Sequence, residues 1–173
     1  MSARGAGGVL AYGLGGGTAA ALVLAAVGSA SPGAARGAEY AALAAGLLAV
    51  HLGMRRAVGL APPALLGRAL VLAALVSAAV GLGAYALYAW LRPALLAERY
   101  ASYRHVLEAG ALPTARAAQE LARLETMRAA YLDPGYQALS TAGTLFFVAV
   151  LLGGYAGFRA HLARRLGGAG LSR

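Results

Sequence analysis

The stretch Ala69–Leu91 reads ALVLAALVSAAVGLGAYALYAWL and contains no charged residue. A helix needs about 20 mostly apolar residues, at a rise of roughly 1.5 Å each, to cross the hydrocarbon of a bilayer. Three further stretches have the same character, at about 8–30, 40–56 and 137–158. Lipid leaves an open strand edge without hydrogen-bond partners, so helices are expected. The sequence predicts an all-α fold, a polytopic bundle of four transmembrane helices that forms one membrane domain over residues 1–173.

Composition supports this interpretation. The chain is 60% hydrophobic and 12% charged, whereas soluble domains average about 45–50% apolar and about 25% charged residues. Its net charge of +9 comes from arginines that lie between the apolar runs. A nucleic-acid binder would cluster them with stacking aromatics on a polar domain, so nucleic acid is not expected as a partner. The chain has no cysteine for disulfide or thiol chemistry.

Arginines also predict an orientation, because basic residues near helix ends favour the cytoplasmic side. The N-terminus, the second connection and the C-terminus hold eight arginines and no acid: Arg4, Arg55, Arg56, Arg68, Arg159, Arg164, Arg165 and Arg173. The opposite side holds the other seven arginines and all six acids. Four of these arginines, Arg104, Arg116, Arg123 and Arg128, lie deep in a long insert, which leaves three near helix ends. We therefore expect a bacterial cytoplasmic (inner) membrane protein with both termini in the cytoplasm.

The first apolar run also resembles a cleavable signal peptide, since Arg4 precedes it and small residues follow at 27–30. It is longer than the apolar core of most signal peptides. We therefore expect it to be a retained transmembrane helix.

Residues 92–136 predict an extracytoplasmic insert of two helices, one over about 95–109 and one from Pro113 to just before Asp133. Its charges recur at helical spacing as Arg104 with Glu108, Arg116 with Glu120, and Glu125 with Arg128. Its second helix carries one apolar stripe, formed by Ala117, Leu121, Leu124, Met127 and Tyr131. That stripe must be buried on the membrane surface, on the first insert helix or on a partner.

Aromatic and small residues predict how the helices are placed. Tyr85, Tyr88 and Trp90 lie where rings settle at a bilayer interface. Small residues at four-residue spacing let helix backbones approach closely in lipid. Three pairs have this spacing, namely Gly13 with Gly17, Ser77 with Gly81, and Gly153 with Gly157. They predict close packing, either within one subunit or between subunits.

Candidate chemistry is sparse. We discern no Ser/His/Asp set, paired carboxylates or phosphate loop, and the middle of each predicted span lacks acids and bases. We therefore predict that the protein is not an enzyme and has no catalytic residue, cofactor or metal site. His51 and His161 lie near cytoplasmic helix ends, where the two could ligate a haem or one could ligate a chlorophyll magnesium. His51 is the candidate ligand, with an ordinary interfacial imidazole as the alternative.

The order of several short motifs resembles a bacterial membrane-protein family, domain of unknown function four-one-nine-nine. The motifs are Gly53-Met54-Arg55-Arg56, Leu66-Gly67-Arg68-Ala69, Tyr85–Trp90, Glu98-Arg99-Tyr100, Gly110-Ala111-Leu112-Pro113, Leu121–Met127, Tyr131-x-x-Pro134 and Gln137-Ala138-Leu139-Ser140-Thr141. The resemblance spans about 12–165 and implies four spans with an extracytoplasmic helical insert. It implies no activity, because none is established for the family.

Three functions are compatible with these features. The leading hypothesis is a structural or accessory subunit of a larger membrane complex, such as a respiratory or photosynthetic one. It would contact the bilayer and other subunits through its small-residue faces and the insert. The second hypothesis is a small oligomeric transporter or channel with a polar central path, and the third is an envelope sensor whose insert binds a ligand.

Overall fold

The computed structural model describes residues 8–28, 32–55, 61–109 and 114–169, and these residues are almost entirely helical. The helices are α1 (Gly16–Gly28), α2 (Pro32–Arg55), α3 (Pro62–Ala86), α4 (Ala94–Glu108), α5 (Thr114–Thr126), α6 (Arg128–Leu132) and α7 (Pro134–Ala169). A π-helical turn precedes α1 at Ala11–Gly15, and a second one, Leu87–Leu91, extends α3.

Four of these helical segments are long and apolar enough to cross a membrane: Gly8–Ala26, Gly37–Arg55, Pro63–Leu91 and Pro134–Arg159. This confirms the predicted number of such helices. The signal-peptide alternative concerns the first of them and stays open, because the structure places a helix there in either case.

Prolines stand at three of the helix starts. Pro32 begins α2, Pro62 and Pro63 begin α3, and Pro134 begins α7. A proline is tolerated in the first turn because its missing N–H would have no partner there. The predicted third span begins at about residue 69, whereas α3 begins at Pro62, so residues 62–68 form its first two turns.

The core surrounds α3, which packs against α1, α2 and α7. It consists mainly of alanine, valine and leucine, and its largest fully buried side chains include Tyr88, Leu24, Leu72 and Leu145. Among the described residues Ser77 is the one buried polar side chain. The interior of the bundle is therefore apolar and filled by side chains.

Small residues bring the helices together inside the subunit. A β-carbon at Gly17 would lie 3.0 Å from the Cα of Val76, and one at Gly83 would lie 3.0 Å from the Cα of Ala21. A larger residue at either position would force the two backbones apart. Three more of the predicted positions are tight: β-carbons at Gly13, Gly81 and Gly153 would meet Leu75, Ala142 and Ala69 within 3 Å. At Gly157 a β-carbon would make only an ordinary contact, 3.5 Å from the Cβ of Leu65.

Helices α4, α5 and α6 lie together at one end of the bundle, and we call them the cap. The α5 stripe is buried in part against α4, where Leu107, Ala117 and Leu124 are buried. The second predicted insert helix is interrupted at Met127, which separates α5 from α6. Ala117 and Leu124 are therefore buried within this chain, and no partner protein is needed to cover them.

Packing of the cap helices also changes the ion pairs. Arg104 pairs with Glu108 at 2.7 Å, as predicted, and also with Glu125 of α5 at 3.0 Å. The predicted pairing of Glu125 with Arg128 is wrong, because the guanidinium of Arg128 lies over the ring of Tyr100 instead. For Arg116 and Glu120, the described residues show no ion pair within 4 Å.

Candidate functional site

Three polar side chains from different elements meet where the cap joins the bundle: Glu39 of α2, Tyr88 of the second π-helical turn and Arg99 of α4. The Tyr88 hydroxyl donates to Glu39 Oε1. Arg99 Nη1 donates to the same oxygen at 2.6 Å and to the Tyr88 hydroxyl oxygen at 3.2 Å. The Arg99 guanidinium also lies 5.7 Å from the Tyr88 ring centroid. This cluster ties the cap to two of the long helices.

The π-helical turn places Tyr88 in the cluster. Arg92 N–H donates to the carbonyl of Leu87, five residues back, and Pro93 disfavours helical geometry at Arg92. Tyr88 is only 1% exposed, whereas Tyr85 and Trp90 are exposed and stack edge to face. The ring of Tyr88 is therefore part of the packed interior, and its depth at the bilayer interface stays a prediction.

Arg99 uses only one edge of its guanidinium in this cluster. Burial alone would lower the pKa of Arg99, but its hydrogen bond to Glu39 and the nearby oxygen atoms raise that pKa above the usual value. Nε and Nη2 are buried, and no hydrogen-bond partner for them is present in the described part of the chain. The hydroxyl of Tyr100, the next residue, is buried without a partner as well. A buried donor without a partner is costly, by about 1–3 kcal/mol.

Arg99 and Tyr100 also line a cavity of about 250 Å³, which we call the cap cavity. It lies between the cap and the adjoining ends of α2 and α7, and its wall consists of Glu39, Tyr40, Leu96, Arg99, Tyr100, Tyr103, Leu124, Tyr131 and Gln137. Four tyrosine rings and two leucines make most of this wall apolar. Burial, and then the neighbouring carboxylate of Glu125, raise the pKa of Tyr100. The phenol therefore stays protonated and able to donate at neutral pH.

A second cavity, of about 160 Å³, shares Glu39 with the first, and we call it the seam cavity. It lies between α2 and α7 and is lined by Glu39, Leu43, Ser140, Thr141 and Thr144. The Thr141 hydroxyl donates to the carbonyl of Gln137 in its own helix at 2.9 Å. Polar groups thus continue from the cap down one side of the bundle.

His51 lies at the opposite end of the same two helices. It is exposed and lines a third cavity, of about 590 Å³, together with Met54, Arg55 and Arg159 among others. His161 lines a different groove, beside Leu65 and Gly157. The two histidines therefore do not face each other across one cavity. A ligand role for His51 stays a prediction.

Sequence reasoning missed the three-residue cluster, although the chain contains a signal for it. Glu39 is the one acid outside the insert, and Arg99 has no acid three or four residues away. Both were assigned to the same side of the membrane. An unmatched acid and an unmatched base on one side favour each other as partners, since charges near lipid are rarely left alone.

No family model, no curated protein and no solved structure matches this chain. Conclusions about its function therefore rest on the arrangement of its own residues, and the family resemblance stays a prediction.

Proposed function

We propose that this chain is a multi-pass protein of the bacterial cytoplasmic membrane that acts as a non-catalytic accessory subunit and packs against another membrane protein. Both termini lie in the cytoplasm and the cap lies outside, as the distribution of arginines favours. Four helices of sufficient length and hydropathy support the membrane placement.

The observation that carries the accessory role is the outward face of α7. This face consists of Leu139, Gly143, Phe147, Leu151, Tyr155 and Phe158, spaced three or four residues apart. Only 22% of the α7 span is buried, against 44% of the α3 span. A β-carbon at Gly143 would meet nothing within 4 Å. Large side chains around a glycine leave room for a neighbouring helix to pack closely.

Site-specific photo-crosslinking tests this role. Benzoylphenylalanine replaces Phe147 or Leu151 in the full chain, in bacteria that express it at its native level. The matched control replaces Leu82, which is 72% exposed on α3, as Phe147 is on α7. We expect ultraviolet light to give the same discrete protein adduct from positions 147 and 151, and none from position 82. No adduct from the α7 positions, or the same adduct from position 82, would refute the proposal.

The cap cavity favours a second candidate, an envelope ligand sensor, because a cavity beneath the insert is what such a sensor needs. A transporter would need a polar path, yet Ser77 is the one buried polar side chain in the described parts of the bundle. A path lined by this chain would therefore have to run between subunits.

A further inference from the structure

We propose that the cap and seam cavities together form a binding site for the phosphate headgroup of an anionic phospholipid, held by the free edge of Arg99. The site does not depend on the partner proposed for α7. It rests only on the placement of the long helices in a membrane.

The geometry of the guanidinium carries the proposal. Nη1 is committed to Glu39 and Tyr88, while Nε and Nη2 are buried and unpaired within the described residues. The Nε–H and one Nη2–H of an arginine point the same way from one edge, and this fork matches two oxygens of a phosphate. Arg99 thus has its counter-ion on one edge and a two-point oxyanion donor on the other.

Neighbouring groups add to the fork. The Tyr100 hydroxyl is a third buried donor, and it makes no hydrogen bond in the described chain, although the carboxylate of Glu125 lies near it. The guanidinium of Arg128 lies 5.7 Å from the centroid of the Tyr100 ring and adds a second cation beside the cavity wall. The two nearby acids are already matched, Glu39 by Arg99 and Glu125 by Arg104. Their pairing reduces the repulsion that an incoming phosphate would meet.

The position of the site favours a lipid over a free anion. Glu39 and Gln137 lie within the first turn of their spans, which begin at Gly37 and Pro134. The cap cavity therefore lies at headgroup depth in the proposed placement. Below it, Ser140 and Thr144 line the seam cavity, where the glycerol esters of a lipid would lie.

An apolar surface continues from the seam cavity along α7. Val148 and Leu152 follow Thr144 at four-residue spacing and are 38% and 43% exposed. Residues four apart lie on one face of a helix. A phospholipid with its phosphate at Arg99 would lay an acyl chain along this face. One lipid molecule would then occupy both the two cavities and the apolar surface below them.

Native mass spectrometry of the full chain in mild detergent tests the site. Phosphatidylglycerol and phosphatidylcholine are added at equal concentrations in one arm, and inorganic phosphate alone in another. Arg99→Lys keeps the charge beside Glu39 but removes the fork. Arg104→Lys is the matched control, because Arg104 lies on the same helix and is paired with acids outside the cavity.

We expect the wild type and Arg104→Lys to retain phosphatidylglycerol in preference to phosphatidylcholine. Arg99→Lys should lower that retention about tenfold, the loss expected for a charge-assisted hydrogen bond. Equal retention by wild type and Arg99→Lys would overturn the site. Equal retention of the two lipids would overturn its selectivity for an anion. The arm with inorganic phosphate is read as the thermal stability of the protein. If inorganic phosphate raises that stability while phosphatidylglycerol is not retained, the ligand of the site is not a lipid.

Tyr100→Phe keeps the proposal testable if Arg99→Lys does not fold. This change removes the unpaired hydroxyl and keeps the ring beneath Arg128. We expect about tenfold weaker retention of phosphatidylglycerol, because a phenol O–H that donates to a phosphate oxygen makes a charge-assisted hydrogen bond. Unchanged retention in a folded Tyr100→Phe variant would count against the site.

Discussion

Glu39 is the one acid on a helix that is long and apolar enough to span a membrane, and its environment explains how it is tolerated there. Its carboxylate accepts hydrogen bonds from Tyr88 and Arg99, and the side chains of Glu39 and Arg99 are about a quarter exposed. A charge removed from water is stable only when it is paired and hydrogen-bonded. The three side chains therefore depend on one another. Removing any one of them leaves another without its hydrogen-bond or charge partner.

Glu39→Gln should destabilise the protein by about 1–3 kcal/mol, because it leaves the partly buried Arg99 without its counter-ion. The free energy of unfolding is measured by denaturation in mixed detergent micelles. Glu108→Gln is the matched control, since Glu108 is also paired with an arginine but is exposed. An exposed pair contributes at most about 1 kcal/mol, so this change should be nearly neutral. Equal losses for the two variants would contradict a structural role for the cluster.

Among the elements, α1 and α3 depend most clearly on glycine. Gly83→Ala puts a methyl group 3.0 Å from the Cα of Ala21, so the two helices must move apart. We expect the thermal midpoint in detergent to fall, with a cost of about 1–3 kcal/mol for overpacking.

Gly67→Ala, on the same helix, is the control for that experiment. A β-carbon at Gly67 would meet nothing within 4 Å. Alanine is the better helix former by about 1 kcal/mol. This variant should therefore be as stable as the wild type or more stable. A stable Gly83→Ala variant would show that the α1–α3 contact is not tight.

The start of α7 depends on Asp133. The carboxylate Oδ1 of Asp133 accepts a hydrogen bond from the backbone N–H of Gly135 at 2.8 Å. Asp133→Ala should cost about 0.5–2 kcal/mol, the usual loss of an N-cap, whereas Asp133→Asn should keep most of that stability. Amide hydrogen exchange in the first turn of α7 measures the effect. Equal protection in the two variants would mean that the cap residue does not hold this helix end.

At the scale of the whole molecule, the orientation in the membrane can be tested cleanly because the chain has no cysteine. His105→Cys places a thiol on the cap, and Leu162→Cys places one at the other end of the bundle; both positions are exposed. We expect a membrane-impermeant maleimide to label position 105 in intact spheroplasts, and position 162 only after lysis. Labelling of position 162 alone in intact spheroplasts would reverse the proposed orientation.

The family resemblance and the accessory role concern the molecule as a whole, and both remain proposals. Small-residue packing illustrates how far the sequence leads. Gly13, Gly81 and Gly153 were predicted to lie at close helix contacts, with the partner left open between this subunit and another. The structure places those contacts inside the subunit. The outward face of α7, which no motif singled out, is the surface left for a partner.

By itself, the sequence determined the helices that are long and apolar enough to span a membrane, because hydropathy and the need to satisfy backbone hydrogen bonds act locally along the chain. It also determined the ion pair of Arg104 with Glu108, since residues four apart meet on any helix. Only the tertiary structure decided that Glu39 meets Arg99, 60 positions away, and that one edge of this guanidinium stays free beside a cavity. Such contacts depend on how whole helices pack, which no local pattern specifies.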